Sequence, residues 1–493
     1  MNSNSTSGMT ESETTISPRK YSLRNHPAGL WTVSLTEMWE RLSFYGLQVL
    51  LAYYIYYAVS DGGLSLPVET ALAITGAYGG VVYLTQPLGA WIADRLVPPR
   101  QLVVAGGVLI ISGHVTLAIT SGLAGLVCAL LLIAIGTGAL HPTLNTLVGF
   151  LYEDRDNDRD SGFQIYYAIF SFGALLGPII TGFLHVRFGF HTAFAVAAVG
   201  MTIGLLVYFL RWKTLPDRSK TISNPLTRRG KAVAIIASVA LLAICTILVA
   251  TEILNLNNVS SSILAAILVV AAMCFVLMLF SSSTTKFEKR RVIAYMPIFL
   301  AAIVFWTMVL QLFTTFAFYA DNRVDLSIGP LEIPASYIST FEVVALIAAG
   351  MLIAPVWQKM GERQPSTLLK LVLGLAIMSC AFLLFAVFPL WFDGPIPLLA
   401  VIFGMVVFGI AEATYAPINM SAAVQLAPKA FKALMMGLSG LALAAGSSLS
   451  GTVGSLFSPE HESQFFVLTA AAIIVTLLGL FLIRKPLTRL GLN

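Results

Sequence analysis

Apolar residues along this chain gather in windows of about 20, the length needed to cross a hydrocarbon layer as helix, separated by short polar breaks. Windows fall near 28–59, 71–93, 101–119, 122–150, 162–183 and 190–210. A basic stretch (RWKTLPDRSKTISNPLTRRGK) follows, then windows near 232–251 and 260–281. Six more lie near 292–320, 335–357, 368–388, 398–424, 433–455 and 464–483. The pattern predicts an all-α membrane protein of fourteen transmembrane helices, laid out six, two, six. The corresponding segments are a cytoplasmic tail over 1–27, a six-helix bundle over 28–212, a cytoplasmic linker over 213–231 and two inserted helices over 232–281. A second linker over 282–291, a second six-helix bundle over 292–484 and a tail over 485–493 complete the layout. The first tail is polar, rich in Ser and Thr, and lacks the apolar core of a cleaved signal peptide, so it is expected to be disordered.

Composition removes the soluble classes. Of 493 residues, 57% are hydrophobic and 11% charged, against roughly 25% charged residues in an ordinary soluble domain. A secreted enzyme, a nucleic-acid binder and a large cytosolic core are excluded. Charge placement then tests the span count, because Lys and Arg should collect in every second loop. With the N-terminus inside, 26 of the 29 Lys and Arg fall in inside segments, Arg187 and Arg323 fall outside, and Arg41 lies within a span. Both termini are therefore expected in the cytoplasm and the chain in the cell inner membrane. The four cysteines (Cys128, Cys245, Cys274, Cys380) lie in apolar windows without metal-ligand spacing and read as small core residues. No metal or cofactor is expected.

Two sets of six helices are the pattern of transporters built from repeated halves, with the substrate site between them near the midplane. Ionisable residues inside spans are costly and face a partner or a water-filled path. Seven occur here: Glu37, Glu40, Arg41, His114, His141, Glu342 and Glu412. Glu37, Glu40 and Arg41, at i, i+3 and i+4, share one helical face, so two carboxylates compete for one cation. At about 1.5 Å of rise per residue, Glu37 and Glu40 lie roughly 13 to 18 Å from the cytoplasmic end, His141 roughly 14 Å and Glu412 roughly 18 Å. One layer accommodates all four, and a His141–Glu412 pair is expected to carry a proton directly, since His titrates near 6.5. His114, without an evident partner, reads as a core histidine. The inserted pair has no charge within its spans and is expected to be peripheral.

The motif Thr36-Glu37-Met38-Trp39-Glu40-Arg41-Leu42-Ser43-Phe44-Tyr45-Gly46 resembles the ExxER segment of bacterial proton-dependent oligopeptide transporters of the major facilitator superfamily. Tyr83-Leu84-Thr85-Gln86-Pro87-Leu88-Gly89, running into Trp91-Ile92-Ala93-Asp94-Arg95, is similar to that family's second helix and following loop. Further similarities are Gly136-Thr137-Gly138, Phe163-Gln164-Ile165-Tyr166-Tyr167, Phe305-Trp306 with Gln311, Glu412 followed by Pro417, Leu426 to Phe431, and Met435-Met436-Gly437. They run in order through most of the chain, and bacterial members also carry the extra central pair. The resemblance implies a major facilitator fold and inward proton–peptide symport by alternating access. It implies proton coupling by the trio and Glu412, with His141 added by our reading, and a pocket lined by Tyr45 and Tyr83. It also implies a cytoplasmic gate over Gly89, Asp94, Arg95 and Arg100.

The departures from the family pattern are specific. His141 stands where Lys is usual, and Gln48 and Leu310 replace both members of an ion pair, leaving no orphan charge behind. Ser171, Glu342 and Ser439 stand where Asn, Asn and Trp are usual. With Gln48 and Gln311, these three join Tyr45 and Tyr83 as substrate-binding candidates. The expected partners are a small peptide, protons and membrane lipid, with no nucleic acid, and the chain is expected to be monomeric. The runner-up reading is proton-coupled transport of another small polar solute or drug. An intramembrane enzyme is disfavoured because no HExxH helix, GxSxG turn or Cys/His nucleophile arrangement is present.

Overall fold

The computed structural model describes residues 26–153, 156–256 and 258–490. The N-terminal bundle comprises α1 (Ala28–Tyr56), α2 (Val68–Arg95), α3 (Pro99–Ile119), α4 (Leu123–Leu151), α5 (Asp156–Phe188) and α6 (Phe190–Leu210). The central pair is α7 (Arg228–Ala250) and α8 (Val259–Phe280). The C-terminal half follows as α9 (Lys286–Val309), α10 (Thr315–Arg323), α11 (Ile338–Met360), α12 (Thr367–Trp391), α13 (Leu398–Leu426), α14 (Lys432–Gly454), α15 (Glu462–Leu482) and the short α16 (Arg484–Arg489). Among the described residues, eleven helices are long and apolar enough to cross a membrane. The long α1 is not one of those eleven, since Glu37, Glu40 and Arg41 interrupt its apolar run.

The ninth window is not one helix. Residues Leu310–Phe313 tighten into a 3-10 turn and Thr314 leaves the helical region (φ −116°, ψ −97°), which divides α9 from α10. Gln311 covers the break: its Oε1 accepts hydrogen bonds from the hydroxyls of Thr314 (3.0 Å) and Thr315, and its Nε2 donates to the Ser450 carbonyl of α14 (3.4 Å). The outer loops add two small two-stranded sheets to the otherwise helical fold. In one, β1 (Val324–Asp325) runs parallel to β4 (Ile396–Pro397); in the other, β2 (Ser327–Ile328) pairs antiparallel with β3 (Leu331–Glu332) through Gly329 at φ +62°.

Helices approach closely where a side chain is missing, as expected where lipid supplies no hydrophobic drive and packing does. A Cβ on Gly173 would stand 2.1 Å from the Met38 carbonyl of α1, and one on Gly89 1.9 Å from the Gly138 carbonyl of α4. Outward faces carry large apolar side chains such as Ile119, Leu131, Phe172 and Leu210. The cysteine expectation needs correction: Cys128 and Cys380 are exposed on these faces, Cys274 is half-buried, and the Cys245 side chain lies outside the described residues. An apolar window in a membrane protein supplies lipid-facing positions as readily as core ones.

The linker between α6 and α7 is tied to the bundle. Asn224 and Leu226 donate backbone N–H groups to the carbonyls of Asp94 and Arg95, and Arg218 pairs with Glu153. Lys220 bonds Asp217 (2.5 Å) and holds that exposed carboxyl below its usual value. The second linker ends in a capping box, Thr285 with Glu288, and Glu288 also accepts the Lys429 N–H before α14 (2.9 Å).

Candidate functional site

The ExxER face of α1 points inward, against α4. Glu37 and Glu40 are fully buried and Arg41 is 4% exposed. Arg41 Nε lies 2.9 Å from an oxygen of each carboxylate. Thr137 Oγ donates to Glu40 (3.0 Å), and His141 Nδ1 bonds the Glu37 oxygen that also receives Arg41. Asn145 reaches His141 Nε2 at 3.4 Å. An imidazole that donates at Nδ1 and accepts at Nε2 is neutral. One further carboxyl oxygen of Glu37, Arg41 Nη2 and Asn145 Oδ1 have no hydrogen-bond partner among the described residues. The cluster therefore has spare valence for a proton or an anionic group.

His141 is thus the partner of Glu37, and the expected His141–Glu412 pair is not formed. Glu412, half-buried on α13, instead meets Glu342 of α11, and the two carboxyl groups face each other as neighbours. Tyr45 lies between the two acidic groups, within electrostatic reach of Arg41 and Glu40 on one side and Glu412 and Glu342 on the other. Tyr83 is within reach of Arg41, Glu40 and Glu412. Both tyrosines are half-buried although flanked by groups of both bundles, so their exposed parts face the gap between the halves.

The end of that gap beside the α1–α2 loop is sealed by residues that sequence reasoning missed. Tyr56 and Tyr57, at the end of α1, donate to the two oxygens of Asp321 on α10 (2.8 and 2.6 Å), and Tyr53 donates to the Ala317 carbonyl (3.0 Å). Tyr337 donates to the Ile179 carbonyl (2.9 Å) and Ser447 to the Gly76 carbonyl (3.0 Å). Beside Gly76 the backbones of α2 and α14 nearly touch, since a Cβ there would lie 2.4 Å from Gly451 N. The run Tyr53-Tyr54-Ile55-Tyr56-Tyr57 was the available signal: polar-tipped aromatics at a span end, in a chain lacking the usual ion pair. Beneath it, a cavity of about 180 Å³ is lined by Tyr53, Tyr57, His185, Asp321 and Glu332 among others.

Residues 100–471 match the POT family. The chain belongs to that family. Over 476 residues it is 34% identical to YclF, an uncharacterized transporter of Bacillus subtilis strain 168, covering 94% of each chain. Over 479 residues it is 33% identical to a di-/tripeptide transporter of Lactococcus lactis subsp. cremoris, covering 94% of this chain and 96% of that one. It superposes with a TM-score of 0.91 and 34% identity on a crystal structure of peptide transporter POT in complex with sulfate, covering 96% of this chain and 97% of the other. The fold is therefore that of the major facilitator transporters, and the chain is a transporter of the membrane, not an enzyme.

Against that POT frame the remaining candidates divide. Gln48 is buried beside Gly79 with its Oε1 unpartnered, while Gln311 is spent on the α9–α10 break. Ser439 accepts from Asn419 Nδ2 (3.2 Å) inside the C-terminal half. Ser171 Oγ donates to its own helix at Tyr167 (2.8 Å). Only Tyr45, Tyr83, Glu342 and Glu412 converge on the gap from both halves. Of the gating candidates, Gly89 is a packing glycine, Asp94 is exposed, and Arg95 is half-buried where its carbonyl receives the linker. Arg100 is held by the Trp212 carbonyl and stacks on its ring at 3.9 Å. His114 is fully buried with both ring nitrogens unpartnered among the described residues, in keeping with a core position.

Proposed function

We propose that this chain is a proton-coupled symporter that imports di- and tripeptides by alternating access. The observation that carries the reading is the pairing of two buried acidic groups, Glu37–Glu40–Arg41–His141 and Glu342–Glu412, across Tyr45. Charges are expensive within a bilayer and are kept where protons or substrates pass. The similarity to a di-/tripeptide transporter over 94% of the chain supports peptide as the cargo.

In the proposed cycle the trio, His141 and Glu412 exchange protons as the halves rock, and Arg41 changes which carboxylate it neutralises. The cross-bundle hydrogen bonds at Tyr53, Tyr56, Tyr57 and Tyr337 lie near the ends of spans assigned to the outside, and the Ser447–Gly76 bond lies about two turns further in, which supports an outward-closed state for this structure. Fourteen spans, two six-helix halves, a monomer in the cell inner membrane and both termini inside belong to the same reading. A second reading, another small polar solute as cargo, is favoured by Ser171, which stands where Asn is usual and whose hydroxyl donates to its own helix.

Proteoliposomes decide between these. Labelled dialanine should accumulate when the lumen is alkaline and the outside acidic, and the accumulation should collapse with a protonophore. Proton-driven uptake of another solute that dialanine fails to compete away would select the second reading.

A further inference from the structure

The two carboxyl groups on α11 and α13 are brought together by backbone geometry. Gly409 of α13 lies against α11, and a Cβ there would stand 2.7 Å from both the Glu342 carbonyl and Leu346 N. Glu412, one turn beyond Gly409, is thereby brought to face Glu342. Glu342 is 2% exposed and its Oε1 receives no hydrogen bond among the described residues; Glu412 is half-buried and reaches the gap.

Two neighbouring carboxyl groups in a low-dielectric site do not both ionise, so the pair holds a proton between them. Among the described residues, no Lys, Arg or His contributes to either group's surroundings. The titratable groups facing the pair from the other bundle are the phenols of Tyr45 on α1 and Tyr83 on α2, with Arg41 and Glu40 behind them. One shared proton leaves the pair with a single negative charge. A primary ammonium offers three donors and a full positive charge, enough to bridge both oxygens once the shared proton has left for water.

We propose that Glu342 and Glu412 form a proton-for-ammonium exchange site that makes the transporter select peptides with a basic side chain. A zwitterionic peptide needs one carboxylate for its single ammonium and leaves the shared proton in place. A Lys-containing peptide brings a second ammonium that takes the proton's role, so its binding releases one more proton. An acidic peptide places a like charge at the pair and is rejected. This inference rests on the peptide reading above.

The test uses purified full-length protein in nanodiscs, with Ala-Lys, Ala-Ala and Ala-Glu as probes. Wild type should bind Ala-Lys at least about tenfold more tightly than Ala-Ala and release about one additional proton per site in weak buffer. In Glu342→Gln the preference should fall to about twofold or less and the additional proton should vanish. A preference that survives Glu342→Gln, or a wild type that ranks the three peptides equally, overturns the proposal. Infrared difference spectra of wild type against Glu342→Gln, taken without peptide, should carry a protonated-carboxyl band. Absence of that band overturns the shared proton whatever is transported. Its presence with no binding of any peptide would instead overturn the peptide reading.

Discussion

Arg41 Nε serves Glu37 and Glu40 at the same 2.9 Å, and the two carboxylates differ in their other partners, His141 for one and Thr137 for the other. In the proposed cycle that difference would make His141 the point at which pH enters. As a neutral ring it accepts from Asn145; once protonated at Nε2 it would need an acceptor, and Asn145 Oδ1 is unpartnered and one amide turn away. Protonation then turns the His141–Glu37 contact into a full ion pair and frees Arg41 for Glu40. That pair exists below the pH at which the ring loses its proton and is lost above it. Lys, with a reference value of about 10.4 against about 6.5 for His, keeps its proton far longer. His141→Lys should therefore move the alkaline limb of the uptake profile upward by more than about one pH unit, measured as initial rates across external pH. An unshifted limb would remove His141 from the coupling scheme. The trio was legible in the sequence because i, i+3, i+4 spacing fixes one helical face without tertiary information. The partner of His141 was not. Equal depth places residues in one layer, and position around the bundle axis, set here by α1 lying against α4, decides which of them touch.

Hydropathy windows located every long helix to within a few residues, because a bilayer span is a one-dimensional signal of length and apolarity. They passed over the α9–α10 break, since Gln311 and two threonines satisfy it inside an unbroken apolar run, and over the two-residue strands, which bury almost nothing. What holds the elements together is written in glycines. Gly89 and Gly138 let α2 and α4 touch backbone to backbone, and a Cβ on Gly138 would lie 2.3 Å from Thr85 Oγ, whose hydroxyl bonds the Ala134 carbonyl (2.9 Å). The Gly-Thr-Gly run at 136–138 thus has a packing role beside its Thr137 bond to Glu40. Gly89→Val must push backbone away from backbone, an overpacking cost of typically about 1–3 kcal/mol. Gly437→Ala, with nothing within 4 Å of the new methyl, supplies the control. Thermal unfolding in detergent should show a lowered midpoint for the first and none for the second. Equal midpoints would show that the α2–α4 contact yields without cost.

At the scale of the whole molecule, the two halves meet along a seal at the end of α1, outer in the proposed orientation, that uses hydrogen bonds in place of the ion pair absent at Gln48 and Leu310. Two phenols on one carboxylate do the work of a salt bridge without placing a cation at the interface, so opening the seal exposes one charge to water and leaves no cation to be resolvated. The inserted pair takes part, against expectation: Ser260 of α8 donates to the Ser448 carbonyl of α14 (2.5 Å) and lies where a Cβ on Gly451 would meet both Ser260 Oγ and the Leu72 carbonyl of α2. The central helices are therefore a strut against the seam as well as a lipid-facing appendage. Their lack of buried charge concealed this, because one serine at a helix start carries no hydropathy signal. Closing by Asp321 has a measurable consequence. Hydrogen bonds to charged groups contribute about 1.5–3 kcal/mol each when buried, and less at this half-buried site. Asp321→Ala should weaken the seal by on the order of 2 kcal/mol, roughly thirtyfold in the balance between outer-closed and outer-open states. Spin labels at Val59 and Leu456, exposed on opposite halves of the outer face, would report it in a background whose native cysteines are replaced by serine. A longer-distance population should appear in Asp321→Ala and be absent without that substitution. Identical distance distributions would mean that the α2–α14 backbone contact at Gly76 and Gly451, and not the tyrosine clamp, sets the closed state.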